Sequence, residues 1–329
     1  MIKSIVKTVA AAVASVIAAQ HTVSAADISF SEAELQAGRD IETHAVGKTS
    51  GDSVFQIGSI SKFACTLAIL DLHHKGRLNI DAVIADVLPG YRGAAGGRVK
   101  VSHLLQNRSG LKDGIIAAFR ADQSLATTSI PSLQAANRFA SSAPKFEPGS
   151  QFDYIIANWI IVQAILEHVD GAPVGNVLKT RVFDPAGMRH TSVFDGVLAG
   201  ANVAPPVTPA RPVPDFLTCA GGFASTATDL VKLVRHPYHT AGFSSDVLMQ
   251  LTAIATAEEN YALGGRYISM KQDGKDHILS WQSGSNGAYK SIAVYDPVLD
   301  FGYAIATADD ARTAIERRRD AWMERVYEQ

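Results

Sequence analysis

The chain has 329 residues, 30 Lys and Arg against 32 Asp and Glu, 47% hydrophobic residues, 19% charged residues and two cysteines. The near-neutral balance excludes most sequence-independent nucleic-acid binders, which present a strongly basic face. The mixed composition excludes a collagen, a coiled coil or a largely disordered chain, and two cysteines exclude a disulfide scaffold. The length suffices for a large core, in one large domain or two of ordinary size.

The first 25 residues read as a leader. Lys3 and Lys7 make a positive start, Ala10 to Ala19 form a small-apolar run, and Val23-Ser24-Ala25 offers a cleavage site before Ala26. The run is shorter and more alanine-rich than a spanning helix, and no later stretch is apolar enough to cross a membrane. The expectation is therefore export, to the periplasm or outside the cell, with no stable membrane insertion. Removing Lys3 and Lys7 leaves 28 basic against 32 acidic residues, a formal charge of −4. Export makes a bridge between Cys65 and Cys219 available, but nothing in the sequence shows that the two meet. Two buried thiols are an equal reading.

Strands are expected near residues 40 to 57. From Ser59 to about His74, Ile60, Phe63, Ala64, Leu67 and Leu70 fall at helical spacing, with Gly76 a candidate C-cap. Residues 89 to 97 read as a loop, Val101 to Gln106 as a short helix, and residues 112 to 143 as one or two exposed helices. Glu147-Pro148-Gly149 is a turn, and a second strong helix runs from Ala157 to His168. Residues 203 to 214 carry five prolines and predict an irregular excursion. Helices follow at Ala227 to Arg235 and Val247 to Leu251. Then come four strands, Tyr267 to Met270, Ile278 to Trp281, Lys290 to Tyr295 and Gly302 to Thr307, with Asp273-Gly274 a hairpin signal. A final helix spans about Ala311 to Tyr327. The order predicts an α+β arrangement with a helical insert and no internal repeat.

Several chemical motifs are missing: H-E-x-x-H, C-x-x-C and G-x-S-x-G do not occur. Gly47-Lys48-Thr49 resembles the end of a phosphate loop, but Glu42 holds the place of its first glycine. No metal and no cofactor is called for. The positive signal is Ser59-Ile60-Ser61-Lys62, which puts a hydroxyl and an amine on one helix face, one turn apart. The chain contains its own controls, since Ser4 and Lys7, Ser109 and Lys112, and Ser142 and Lys145 share the spacing. The first pair lies in the leader, the second crosses a glycine turn and the third encloses a proline. Only Ser59 follows a buried, strand-like run and opens a long apolar helix.

The segment Phe55-Gln56-Ile57-Gly58-Ser59-Ile60-Ser61-Lys62 resembles the active-site segment of the penicillin-recognising serine hydrolases of the class C β-lactamase type, a group that includes D-amino-acid peptidases, carboxypeptidases and esterases. Further matching blocks are Val101 to Leu105 with Ser109-Gly110-Leu111, Phe146 to Tyr154, Phe183 to Met188, and Ala220 to Leu230. The resemblance implies a β-lactamase/transpeptidase-like antiparallel sheet flanked by helices, with an inserted all-helical subdomain. An α/β part would combine residues 26–85 with 218–329, and a helical part, 86–217, would sit between them. The 33 mature residues before Ser59 are few for the family, so the first helix and strands of the sheet are expected to be trimmed.

By the same resemblance Ser59 is the nucleophile, Lys62 and Tyr154 share its proton, and the backbone N–H groups of Ser59 and Ser285 form the oxyanion hole. Two motifs depart from the family pattern. Its Tyr-x-Asn is Tyr154-Ile155-Ile156 here, and Asn158 matches a separate family position. Its third motif, a cation followed by Thr or Ser and Gly, is Gln282-Ser283-Gly284. Ile156, Gln282, Ser283 and Gly284 are therefore the expected substrate-binding positions, without the usual amide or the usual charge. Both changes favour a neutral ester or amide over a β-lactam or a D-Ala-terminated peptide. Lys290 and Arg266 are the candidates to restore a cation. The expected partner is a small-molecule, peptide or ester substrate. A non-catalytic binder of cell-wall fragments and an acyltransferase are the alternatives.

Overall fold

The computed structural model describes residues 28–272 and 274–327. The expected leader and the first residue of the Asp273-Gly274 hairpin signal lie outside the described residues; Gly274 itself has φ +74°.

In chain order, β1 (Phe30–Leu35), β2 (Glu42–Val46) and β3 (Phe55–Gln56) lead into α1 (Ile60–His74). Then come α2 (Ile84–Val87), α3 (Val101–Leu105), α4 (Gly114–Ala121), α5 (Ser132–Phe139), α6 (Ala157–Asp170) and α7 (Val174–Leu178). After β4 (Ser192–Val193), α8 (Thr218–Gly221) and β5 (Phe223–Ser225) come α9 (Ala227–His239) and α10 (Ser245–Thr252). The strands β6 (Arg266–Gln272), β7 (Lys275–Asn286), β8 (Tyr289–Asp296) and β9 (Phe301–Thr307) precede the closing helix α11 (Arg312–Tyr327).

Six strands form one antiparallel sheet in the order β2-β1-β9-β8-β7-β6, and β3-β5-β4 make a small second sheet. All four late strands expected from the sequence are present, each extended by a residue or more. Strand β1 was not expected. Its charged residues Glu32 and Glu34 obscure the alternation, yet Phe30, Ala33 and Leu35 are buried and β1 pairs with both β2 and β9. Glu32 is compensated by the Arg318 guanidinium at 2.6 Å and the Tyr303 hydroxyl at 2.6 Å. Residues 203 to 214 are irregular as read, joined to the rest by isolated bridges at Val203 and Val213. Residues 112 to 143, expected as one or two exposed helices, hold two short ones, α4 and α5, with a 3-10 turn at Gln123–Thr127 between them.

The outer face of the sheet packs on α11, where Phe30, Ile292, Val294 and Ile305 meet Ile315 and Trp322. The inner face meets α9 and the main core. Every residue of α1 from Ile60 to Leu72 is buried. A helix buried on all sides belongs at the centre of a core, and α1 is enclosed by α6, α7, α8 and β7. Gly76, just past its end, has φ +66°, the left-handed stop expected of it. Cys65 and Cys219 form a disulfide that ties α1 to α8. Among the described residues, no helix is long and apolar enough to cross a membrane.

Candidate active site

The chain enters α1 through a turn that only glycine allows. Gly58 has φ +52°, and a Cβ there would lie 2.5 Å from the backbone nitrogen of Ser285. A Cβ on Gly284 would lie 1.7 Å from the Ile57 carbonyl oxygen. These two glycines let the backbone before Ser59 press directly on β7. The Ser291 hydroxyl fastens the contact by donating to the Ile57 carbonyl at 3.0 Å. Gly58, the residue before Ser59, thus meets the Ser285 backbone although the two are far apart in sequence.

Lys62 lies one helical turn into α1, with 2% of its surface exposed. Its Nζ is 3.0 Å from Ser59 Oγ and donates to the Ala220 carbonyl at 2.6 Å. The same Nζ stands 5.1 Å from the centre of the Tyr154 ring and 5.8 Å from that of Trp159. Tyr154 is half-buried, and the Arg266 guanidinium also stands 5.7 Å from the centre of its ring. Tyr261 meets Tyr154 edge-on at 6.1 Å. Burial, with Tyr154 beside it, holds the Tyr261 phenol well above its ordinary pKa, so it stays protonated.

The segment bearing Tyr154 hangs on the turn after α3. Asn107, in the left-handed region at φ +53°, accepts from the Asp153 backbone N–H at 2.8 Å, and the Arg108 carbonyl accepts from Gly149 N–H at 2.8 Å. The Asn107 side-chain oxygen accepts from Asn158 at 3.1 Å and from the Trp159 indole at 3.3 Å. Ser109 donates to Asn158 at 2.6 Å. Asn158 is therefore fully buried scaffold and does not replace the amide missing at Ile156. Ile156 packs on the main core at the start of α6, and its N–H donates to Asp113 at 2.9 Å.

On β7, Gln282 is buried, donates to Ser280 Oγ at 3.2 Å, and lies so close to β6 that a Cβ on Gly265 would meet its Nε2 at 2.2 Å. Ser283 is half-buried and Ser285 is exposed. Of the two candidate replacement cations, Lys290 is paired with Asp310 at 2.5 Å. Arg266 is the one beside Tyr154, stacked on Tyr154, Tyr261 and Trp281 and paired with Glu259. Sequence reasoning missed two further arginines here. Arg312 donates to the Gly284 carbonyl at 2.6 Å, and Arg319 lies 5.7 Å from the Trp281 ring. Burial, with the charges of Arg266 and Arg319, lowers the Arg312 pKa against the pull of Glu316. Nothing in the spacing of α11 singled these residues out. Among the described residues, no group of three or more His, Cys, Asp or Glu is placed to hold a metal ion.

The arrangement joins a helix-borne hydroxyl, a buried amine, a phenol and a strand edge, and the comparisons with known proteins agree with it. The Beta-lactamase family profile matches residues 2–327, and the chain belongs to that family. A penicillin-binding protein of Bacillus subtilis (strain 168) is 30% identical over 179 residues, covering 53% of this chain and 36% of that protein. The chain thus matches about a third of that relative's length. Among solved structures, a penicillin-binding protein from Bacillus halodurans superposes with a TM-score of 0.74 at 19% identity, covering 89% of this chain and 95% of that one. A D-stereospecific amidohydrolase from Streptomyces sp. superposes with a TM-score of 0.71 at 23% identity, covering 86% and 89%. At these identities the structural likeness establishes the fold, an antiparallel sheet flanked by helices.

Proposed function

We propose that the protein is a serine hydrolase that works through an acyl-enzyme on Ser59, acting on an ester or amide. The observation that carries this reading is the 3.0 Å approach of a buried Lys62 Nζ to Ser59 Oγ beneath the Tyr154 ring. Ser59 Oγ attacks the substrate carbonyl carbon while its proton passes to the Lys62–Tyr154 pair. The tetrahedral oxyanion faces the backbone N–H groups of Ser59 and Ser285, each worth roughly 3 kcal/mol at such a site. The pair returns the proton to the leaving group, the carbon–leaving-group bond breaks, and water releases the acyl group from Ser59. Ser283, Gly284, Gln282 and Ile156 border the substrate. With no charge at Gln282 or Ile156, a neutral acyl group fits this wall.

A second reading of the substrate follows from the arginines. Arg266, Arg312 and Arg319 surround Trp281 and Gly284, and such a rim suits a substrate carboxylate, as on a β-lactam or the end of a D-peptide. The fold is proposed to act as one unit of two interleaved parts, 26–85 with 218–329 and the helical 86–217. The leader at residues 1–25 supports export, and the Cys65–Cys219 bridge fits an oxidising compartment.

The test incubates the protein with a fluorophosphonate, short-chain p-nitrophenyl esters and a fluorescent penicillin, beside Ser59→Ala. Labelling and ester turnover should drop on the order of 10⁴-fold or more in the variant. Strong ester turnover with weak penicillin labelling supports the neutral substrate, and rapid cephalosporin hydrolysis supports the second reading. A wild type inert to every probe would leave a binding protein in place of an enzyme.

A further inference from the structure

Cys65 follows Lys62 by three residues on α1, and Cys219 immediately precedes Ala220, whose carbonyl accepts from Lys62 Nζ at 2.6 Å. Residues three apart share a helix face. The disulfide and the amine therefore leave α1 on the same side, and both end on α8. The two Cα atoms of the bridge are 5.7 Å apart, and both cysteines are fully buried.

Helix α8 has four residues, too few to hold its own shape. Besides the bridge to α1 and its packing on α1 and α6, α8 is tied to α6 by a 3.3 Å hydrogen bond from Cys219 N–H to the Gln163 side chain, which in turn donates to the Asp215 carbonyl at 2.8 Å. On its far side, Gly221 lies against Gly58 at the entry to α1. A displacement of α8 would thus move the carbonyl that Lys62 holds and disturb the turn that presents Ser59.

To take the Ser59 proton, the amine must direct its lone pair at Oγ while its N–H bonds go elsewhere. Ala220 oxygen fixes one of those N–H directions, and the rings of Tyr154 and Trp159 crowd the remaining space. We propose that the Cys65–Cys219 disulfide is a positioning device for Lys62, holding the Ala220 carbonyl so that the amine addresses Ser59. This inference rests on the acyl-enzyme reading above and adds a redox-sensitive element to it. Reduction of the bridge by a dithiol breaks the S–S bond, yields two thiols and oxidises the dithiol to its own disulfide. The bridge is the only link removed.

The experiment measures single-turnover acylation of Ser59 by a fluorophosphonate, and kcat and KM for a p-nitrophenyl ester. Three proteins are compared at 10 °C: wild type, wild type reduced with dithiothreitol, and Cys65→Ala/Cys219→Val, which refills part of the sulfur volume. Thiol titration verifies reduction, and circular dichroism verifies the fold. The expected result is a roughly tenfold slower acylation per labelled serine in both bridge-free forms. KM should stay within about twofold, and reoxidation should restore the rate of the wild type. Unchanged acylation in folded, bridge-free protein overturns the positioning role, as does loss of native structure in both forms, which would make the bridge a staple of the fold. A wild type that takes no label at Ser59 removes the acyl-enzyme reading itself, an outcome distinct from both.

Discussion

On the α1 side of the cleft, Lys62 is 2% exposed, its amine has two polar partners, and a disulfide ties its helix to α8. On the β6–β7 side, Ser285 is exposed, Arg266 is held mainly by stacking and one ion pair, and the motif residue Gln282 turns to Ser280. Ser59 and Lys62 on the first side keep the motif that the sequence resembles, and Gln282 on the second departs from it. The contrast separates two demands on one site. Proton transfer tolerates little displacement and is surrounded by rigid packing. Substrate selection, on the reading proposed above, falls to the strand edge at Gln282–Ser285, where Ser283 is half-buried and Ser285 exposed.

The sharpest way to break this comparison is to remove the proton-transfer pair. Lys62→Met should lower kcat for a neutral ester about 10³-fold, and Tyr154→Phe about 10²-fold, with KM within a few-fold in both. Stopped-flow ester hydrolysis with active-site titration separates the two constants. Equal losses from the two changes would mean that they act as a single unit. A change in KM alone would place Tyr154 with the substrate and not with the proton.

The same rigidity has a pH signature at the far end of α1. Asp71 there bonds Arg181 at 2.5 Å, and Arg181 also pairs with Asp170. Beside this network, burial pushes the His236 imidazole down to about 4, against the weaker pull of Asp71. The folded protein therefore keeps His236 neutral down to about pH 4, whereas in the unfolded chain it takes a proton near the usual value of about 6.5. Between those two values the unfolded state binds more protons, so stability falls as the pH drops from about 6.5 to about 4. The contribution of this one group is at most about 3 kcal/mol over that window. Urea unfolding at pH 7 and pH 4.5 should show it, and His236→Leu should flatten the slope. A slope equal in wild type and variant would assign the acid sensitivity to the carboxylates alone.

Legibility followed the same division. Helix α1 was readable because its apolar residues recur at helical spacing, and the four late strands because β-branched and aromatic residues fill them. Strand β1 was not, since Glu32 and Glu34 are made compatible with a sheet by Arg318, Tyr303 and Arg325, all more than 260 positions away. The disulfide was undecidable, because its two halves lie 154 residues apart and local pattern carries no information on distance. In the site, Ser59, Lys62 and Tyr154 were reached through their motifs and are brought together by the fold. Ala220 has only a backbone carbonyl to offer, which no residue type reveals. Arg312 and Arg319 read as ordinary charges of α11 until the fold lays that helix along β8 and β9 and brings the two side chains to Gly284 and Trp281.

Arg266 is where the two sides of the cleft meet, and its replacement gives the smallest and most selective effect. Its guanidinium stacks on Tyr154 and Trp281 and is paired with Glu259, so its side chain is only 15% exposed. A substrate carboxylate would compete with Glu259 for the same fork of donors. Arg266→Gln keeps length and polarity but removes the charge. For an ester bearing a carboxylate near the scissile bond, kcat/KM should fall about tenfold, which is about 1.4 kcal/mol. The matched neutral ester should change less than about threefold. Glu259→Gln should move the carboxylated substrate the opposite way, because it frees the guanidinium. If both substrates lose equally with Arg266→Gln, the arginine serves to hold the Tyr154 ring, and the β6–β7 edge selects its substrate by shape and not by charge.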